Sequence, residues 1–358
     1  MRGLILSGGK GTRLRPLTHT RAKQLVPIGN KANLDYALED LVACGITDVV
    51  VVISPETGGE VREHLGDGKR FGARLTFVVQ DEPLGLAHAV KTARPHLGEE
   101  PFVMYLGDNL LAGGIGHLVE TYRQGGVEAC ILLAEVPNPQ SFGVVVFGQG
   151  GQIERLVEKP GEFISPFALV GVYLFSPRIH EVIETLRPSA RGEYEITEAI
   201  QGLLERGWAV SAETVRGFWK DTGKPEDLLD ANRLVLSRLE RSVQGSVEDS
   251  ELVGEVEVQA GAVVRGARVR GPVSIAAGAV VEDAYVGPYT SVGENAVVRH
   301  AEVEYSILMR GARVTNLSRR LDSSILGEEA RVEGRVRRSQ TYQVFLGDRS
   351  SVIVDGEP

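Results

Sequence analysis

The sequence predicts an α/β domain built on a mostly parallel sheet, followed by a parallel β-helix. Three patterns predict it. Apolar strands alternate with amphipathic helices through the first part of the chain, the first strand runs into a glycine-rich turn, and a valine-rich hexapeptide period takes over after about Arg241.

Leu4-Ile5-Leu6 is a short buried strand that ends in Ser7-Gly8-Gly9-Lys10-Gly11-Thr12-Arg13. Gly8, Gly9 and Gly11 let the backbone come close to a ligand. Successive N–H groups in such a loop make a concave anion site, to which Arg13 and Lys23 would add positive charge. The pattern is neither GxxxxGK[ST] nor a complete GxGxxG, because Leu14 stands where a third glycine would be. A tight strand-to-helix turn has the same composition, so the loop does not decide by itself.

Leu34, Ala37, Leu38, Leu41 and Val42 form one helical face, stopped by Gly45. Asp48 to Ile53 is a β-branched run suited to a strand buried on both faces. A helix at 60–65, a strand at 74–79, a helix at 86–93 and a strand at 101–106 continue the alternation, which implies βαβ units. The last strand runs into Gly107-Asp108-Asn109. A carboxylate there sits where open α/β sheets bind ligands and can hold Mg²⁺, or it can be a turn residue. Short strands follow at 129–134, 143–147, 153–158 and 168–175, with Gln149-Gly150-Gly151 as a hairpin turn. Glu158-Lys159-Pro160 closes the third of these. A helix at 195–206, a loop carrying Asp221 beside Trp219, and a helix at 225–239 complete this part.

Beyond Arg241, Leu252, Val258 and Val264 are six apart, as are Val286, Val292 and Val298, whereas Val269 and Val303 come one residue early. A hexapeptide period is the mark of a β-helix, in which each coil buries its aliphatic residues on the next.

With 42% hydrophobic and 24% charged residues over 358 positions, the chain has enough apolar material for two cores. A net charge of -9 without a basic stripe argues against nucleic acid. Two cysteines, Cys44 and Cys130, suit a reducing cytoplasm and suggest neither disulfides nor a zinc site. Gly8 and Gly9 break the first apolar run, and no stretch is long enough to span a bilayer, so no membrane partner is expected.

Seven segments in register give the chain a resemblance to the sugar-1-phosphate nucleotidylyltransferases, most nearly to their long-form thymidylyl-transferring branch. They are LSGGKGTRLRPLT with Lys23-Gln24-Leu25-Val26-Pro27, Gln80 to Ala87, Leu106 to Asn109, Phe142 to Val145, Glu158 to Pro160, Gly192 to Thr197 and Trp219 to Gly223. The resemblance implies a Rossmann-like core with a mixed, mostly parallel sheet in residues 1–241 and a left-handed parallel β-helix in 242–358. It implies a Mg²⁺-dependent transfer of dTMP from dTTP to α-D-glucose 1-phosphate, giving dTDP-glucose and pyrophosphate. Ser7, Gly8, Gly9, Gly11, Thr12 and Arg13 would then hold the triphosphate, with Lys23 near the phosphates and Gln80 and Gly85 reading the base. Asp108 and Asp221 would hold the metal. Gly143, Glu158, Lys159, Gly171, Tyr173 and Trp219 would line the sugar-phosphate pocket, and Arg13, Lys23 and Lys159 would carry the catalysis.

Two departures stand out. The segment Lys31-Ala32-Asn33-Leu34 lacks the family's proline–methionine pair, and Phe142 replaces a common tyrosine. Use of UTP or another sugar 1-phosphate stays open, since a methyl group separates thymine from uracil. So does an acyltransferase site around His300 in the β-helix, or a tail that only oligomerises or regulates. A homo-oligomer is expected.

Overall fold

A computed structural model describes residues 1–9, 11–334 and 350–351. Lys10 of the glycine loop and residues 335–349 and 352–358 of the expected second domain lie outside these.

The chain begins with β1 (Arg2–Ser7), a small hairpin of β2 (Pro27–Ile28) and β3 (Lys31–Ala32), and α1 (Asn33–Ala43). It continues through β4 (Asp48–Ile53), α2 (Gly58–Leu65), β5 (Arg74–Val79), α3 (Leu86–Leu97), β6 (Phe102–Leu106), β7 (Asn109–Leu111) and α4 (Gly116–Arg123). Then come β8 (Ala129–Glu135), β9 (Gly143–Phe147), β10 (Ile153–Glu158), β11 (Phe167–Phe175), α5 (Arg178–Ile183), α6 (Ile196–Glu205), β12 (Val210–Thr214), β13 (Trp219–Asp221) and α7 (Pro225–Leu236).

The central sheet has the order β10-β9-β11-β6-β1-β4-β5, with β8 paired to β11 and β12 to β8. β1 runs parallel to β4 and β6, and β4 parallel to β5. β11 is antiparallel to β6, β8 and β9, so β8 and β9 point the same way as β1. Only β10 and β11 run against the other strands, and the sheet is mixed and mostly parallel, as expected. Successive strand residues feed opposite apolar layers. Leu4, Leu6, Val50 and Val52 pack with α3, α5 and α6, while Ile5, Val49, Val51 and Ile53 pack with α1, α2 and α4. Runs that are apolar on both faces were therefore a true sign of central strands.

Two expectations need adjusting. The helix read to Ala93 continues through Pro95 to Leu97, where burial of Ala93 and Leu97 outweighs one lost backbone bond. The segment read as a loop around Asp221 is strand β13, which pairs antiparallel with β7 so that Asp221 lies opposite Asn109.

Among the described residues from Ser242 onward, short strands form three parallel sheets of six, six and five strands. This is the left-handed parallel β-helix that the hexapeptide period led us to expect. Val256 pairs with Val273 and Val273 with Thr290, an interval of seventeen residues per coil. In these first coils two sides take six residues and the third takes five, which explains why Val269 and Val303 come early; later coils vary, with Val292 paired to Leu308 and Leu308 to Leu326. Val258, Val264, Val269, Ile275 and Val281 are all fully buried inside the coil. Corners turn through left-handed residues, and Asp249, Asp283 and His300 share one such column with Gly266. His300 is thus a corner residue, half-exposed, with Nδ1 3.8 Å from Asp283 Oδ2.

The two parts are packed together. Leu14, Val26, Ile28, Leu228 and Ala231 form one apolar cluster with Ile307 and Met309 of the β-helix. Asn232, fully buried on α7, joins three segments. Its Oδ1 accepts from Gly29 N (2.8 Å) and Ser291 Oγ (2.7 Å), and its Nδ2 donates to Tyr289 O (3.0 Å). Among the described residues no helix is long and apolar enough to cross a membrane. Replacing Asn232 by Ala would strand two buried donors and an acceptor. Thermal melting should show a loss of about 1–3 kcal/mol; an unchanged melting temperature would refute the hook.

Candidate active site

β1 and β6 are neighbours and end at the same edge of the sheet. Their carboxyl ends deliver Ser7-Gly8-Gly9 and Gly107-Asp108 side by side, with Gly107 N donating to Leu6 O at 3.0 Å. β13 brings Asp221 to the same place. Thr222 locks the join: its backbone N (3.2 Å) and Oγ1 (2.8 Å) both donate to Asp108 O. Thr222 Oγ1 accepts in turn from buried Asn33 Nδ2 at 2.8 Å. Two carboxylates far apart in sequence thereby share one cleft.

Lys23 Nζ donates to Asp108 Oδ2, forming a largely buried ion pair. Burial pushes the Asp108 carboxyl up, but the Lys23 charge and hydrogen bond outweigh it and hold it below its ordinary range. Burial acts to lower the Lys23 ammonium, and Asp108 with Asp221 overcomes this and raises it. Asp221 is pushed up to about 6, by burial first and by repulsion from Asp108 second, against Lys23 and Arg13. Arg13 approaches from the other side, since a Cβ on Gly223 would lie 3.3 Å from both Arg13 Nη2 and Asp221 Oδ2.

Two cavities meet at Asp108, Leu86 and Leu106. The smaller, about 190 Å³, is lined by Gly8, Gly9, Lys23, Gln24, Gln80 and Gly85. Gly85 has φ +102°, and a Cβ there would lie 2.6 Å from Tyr194 O, so only glycine fits. Gln80 Nε2 donates to Gly85 O (3.3 Å) and His88 Nδ1 (2.9 Å). Burial lowers His88, so its ring is neutral and can accept. The Gln80 carbonyl Oε1 is left facing Gly8 as an acceptor. Ser7 Oγ and Gln24 Oε1 are buried without partners beside this cavity. Gly11 and Thr12 line neither cavity, and Thr12 is exposed.

The larger cavity, about 560 Å³, holds Arg13, Asp221, Gly143, Glu158, Lys159, Gly171, Tyr173 and Trp219. Glu158 Oε2 accepts from Thr197 Oγ1 at 3.1 Å, and its Oε1 faces Arg191 Nη1 (3.2 Å) and Lys159 Nζ (3.4 Å). Lys159 sits at φ +39°, fixed by its N–H to Phe142 O at 3.0 Å. Burial, then Glu158, raises the Tyr173 phenol, so the hydroxyl keeps its proton and can donate. A Cβ on Gly171 would lie 2.6 Å from Leu106 Cδ1 and 2.8 Å from Asn109 Nδ2.

Three residues escaped the sequence reading. Asn109 is the hub: Oδ1 accepts from Trp219 Nε1 (2.6 Å) and Gly171 N (3.3 Å), and Nδ2 donates to Asp108 Oδ1 (3.2 Å). Trp219 therefore spends its N–H on the protein and offers the cavity only its ring, braced edge-on by Phe142 at 5.2 Å. Gln24 lay within a quoted motif, but nothing marked its side chain. Arg191 joins Lys159 as a second cation on Glu158 and precedes the Gly192–Thr197 segment.

The arrangement is a charged seam between two pockets, one backed by glycines and one by hydrogen-bonding groups. Such a seam suits transfer of an anionic group between ligands. A family profile described as nucleotidyl transferase matches residues 2–238. The chain belongs to the nucleotidyl transferase family. It is 46% identical over 351 residues to a glucose-1-phosphate thymidylyltransferase of Streptomyces griseus, covering 98% of both chains. It is 49% identical over 263 residues to the low-salt glycan biosynthesis nucleotidyltransferase Agl11 of Haloferax volcanii, covering 73% of this chain and 74% of that one. A crystal structure from Bacillus anthracis, provisionally titled glucose-1-phosphate thymidylyltransferase and containing a sucrose, superposes with a TM-score of 0.62 at 36% identity. That match covers 65% of this chain and 94% of the other. In this nucleotidyl transferase, replacing Asn109 by Ala should leave the Trp219 and Gly171 N–H groups unpaired. The expected cost is about 1–3 kcal/mol in melting, with a shifted emission from Trp219. Unaltered fluorescence and stability would show that Asn109 is no hub.

Proposed function

We propose that the protein is a Mg²⁺-dependent glucose-1-phosphate thymidylyltransferase. The observation that carries this reading is the seam of Lys23, Asp108, Asp221 and Arg13 at the meeting of the two cavities. The near full-length likeness to named thymidylyltransferases supports it. Residues 1–241 would form the catalytic domain and 242–358 the β-helix domain of a cytoplasmic homo-oligomer.

The nucleotide would occupy the smaller cavity, with Gly8, Gly9 and Lys23, and Arg13 across the seam, around its phosphates. Thymine and uracil each present an N–H between two carbonyls, and the Gln80 Oε1 acceptor faces where that N–H would lie. Cytosine has an acceptor at this position, so pyrimidine-diones are favoured. The sugar phosphate would fill the larger cavity, where Lys159 would neutralise its phosphate. Glu158, anchored by Thr197, accepts from sugar hydroxyls, and the Tyr173 hydroxyl donates.

The donor set fits a hard divalent cation: two carboxylates meet in one cleft, and their repulsion helps push Asp221 up. Among the described residues no three metal-binding side chains converge, so phosphate oxygens would complete the coordination. Mg²⁺ bound by Asp108 and Asp221 would neutralise phosphate charge. An oxygen of glucose 1-phosphate attacks the α-phosphorus of dTTP, the bond to the bridging oxygen breaks, and pyrophosphate leaves with those electrons. The nucleophile is already an anion, so no general base is required. What the protein supplies is alignment and charge: Arg13 and Lys23 stabilise the phosphates as charge builds on the leaving group.

Asp108→Asn or Asp221→Asn should lower kcat by roughly 10²-fold or more while the protein stays folded. Near-normal turnover in either would remove that residue from the site. The raised Asp221 also fixes a pH dependence. Below about 6 a proton holds the carboxyl, in a field set by Asp108, Lys23, Arg13 and Asp227. The Mg²⁺ concentration for half-maximal activity should therefore rise as pH falls through 6 and level off above it. A flat Mg²⁺ requirement from pH 5 to 8 would contradict the assignment. Pyrophosphate release over a matrix of nucleoside triphosphates and sugar 1-phosphates tests the whole reading; dTTP with glucose 1-phosphate should be the best pair.

A further inference from the structure

The segment from Gly11 to Val26 carries the two cations of the nucleotide side. Each has a close neighbour that faces the β-helix. Arg13 points to the Asp221 side of the cleft, while Leu14, 1% exposed, belongs to the buried apolar cluster that also holds Ile307 and Met309. Lys23 pairs with Asp108, while Arg21 Nη2 reaches Glu328 Oε1 of the β-helix at 2.5 Å. Glu328 is itself fixed by Arg310 Nε (3.1 Å) and Nη2 (3.0 Å). Arg21 Nη1 also lies 3.5 Å from Leu25 O, at the end of the turn that holds Lys23.

Between these anchors the segment has little regular structure, only two single-turn helices at Thr12–Leu14 and Lys23–Leu25. Thr18 Oγ1 closes the loop on Gly11 O at 2.6 Å, and Glu60 Oε2 accepts from Ala22 N at 2.8 Å. Such a loop fixes a cation only as well as its packing does. On the β-helix side that packing is Ile307, Met309 and Glu328.

We infer that the β-helix positions the nucleotide-side cations: Met309, Ile307 and Glu328 are positioning residues for Arg13 and Lys23 through Leu14 and Arg21. The inference rests on the reading that Arg13 and Lys23 meet the nucleotide phosphates. Lys159, Glu158 and Arg191 stand on β10 and the loop before α6, outside this segment. Arg13 also borders the larger cavity, but Lys159 and Glu158 do not depend on this segment, so loosening the anchors acts mainly on the nucleotide.

The test uses the full chain and separates the two substrates. Met309→Ala and Glu328→Gln should each raise the KM for dTTP, Met309→Ala by roughly tenfold, the usual cost of losing an orienting partner. The KM for glucose 1-phosphate should stay within about twofold of the parent, and Met309→Leu should restore the dTTP value. Val332→Ala, in the β-helix interior away from the loop, serves as the control. If it shifts the dTTP KM as much, or if both KM values rise together, the effect is general loosening and the inference fails. Should Met309→Ala not fold, Glu328→Gln at the half-exposed rim decides: an unchanged dTTP KM overturns the inference. Arg13→Ala separates the two levels. If it cripples turnover while the anchor variants behave like the parent, positioning alone is wrong. If Arg13→Ala is also harmless, the nucleotide reading falls with it.

Discussion

Everything in the catalytic half is arranged around a desolvated charge cluster. Lys23 and Asp108 are buried as a pair, and Asp221 shares their cleft at the cost of a carboxyl pushed up to about 6. Charges taken out of water are tolerable only when they are fixed against partners and hydrogen-bonded. The surrounding residues supply that fixing. Thr222 binds the Asp108 carbonyl, Asn33 holds Thr222, and Asn109 holds an Asp108 oxygen while accepting hydrogen bonds from Trp219 and Gly171. The two-strand ribbon of β7 and β13 is the smallest element that can bring the carboxylates together. Its three-residue strands also anchor it to the core, through buried Leu111 of β7 and Trp219 of β13.

This explains what could be read from the sequence and what could not. β1, β4 and β6 were legible because strands buried on both faces are apolar throughout. The glycine loop was legible because Gly8 and Gly9 follow β1 directly. Asp108 and Asp221, and their meeting at one ion, were legible through family resemblance, but the strand pairing that brings them together was not. A three-residue strand has no period, so β13 looked like a loop. Asn109, Gln24 and Arg191 were missed for a related reason: an amide or guanidinium acquires its meaning from long-range partners. In the β-helix, the period of six was visible, whereas the five-residue third side appeared only as valines out of phase.

The change in composition near Arg241 marks a change of architecture but not a break in packing. α7 buries Leu228 and Ala231 against the β-helix, and Asn232 ties Gly29 to Tyr289 and Ser291. Leu14, three residues beyond the last loop glycine, belongs to this shared cluster and not to either sheet-flanking layer. A solenoid stabilised by its own coils offers a rigid face at little entropic cost, since its valines are already ordered by neighbouring coils. It is well suited to support a loop that cannot support itself.

The balance of charge accounts for the use of two acidic residues in a site that must receive two phosphate-bearing ligands. With Lys23 and Arg13 opposite Asp108 and Asp221, the seam is close to neutral before anything binds. Adding a triphosphate and a sugar phosphate places several negative charges within a few ångströms, where repulsion in a low dielectric is severe. Lysines alone could offset the charge of one ligand but would hold the empty cleft strongly positive and unpaired. Carboxylates keep the empty site balanced, then exchange their partners for a divalent ion when the phosphates arrive. The raised Asp221 carboxyl follows from the same arrangement: burial first, then the charge of Asp108, outweighs what Lys23 and Arg13 supply.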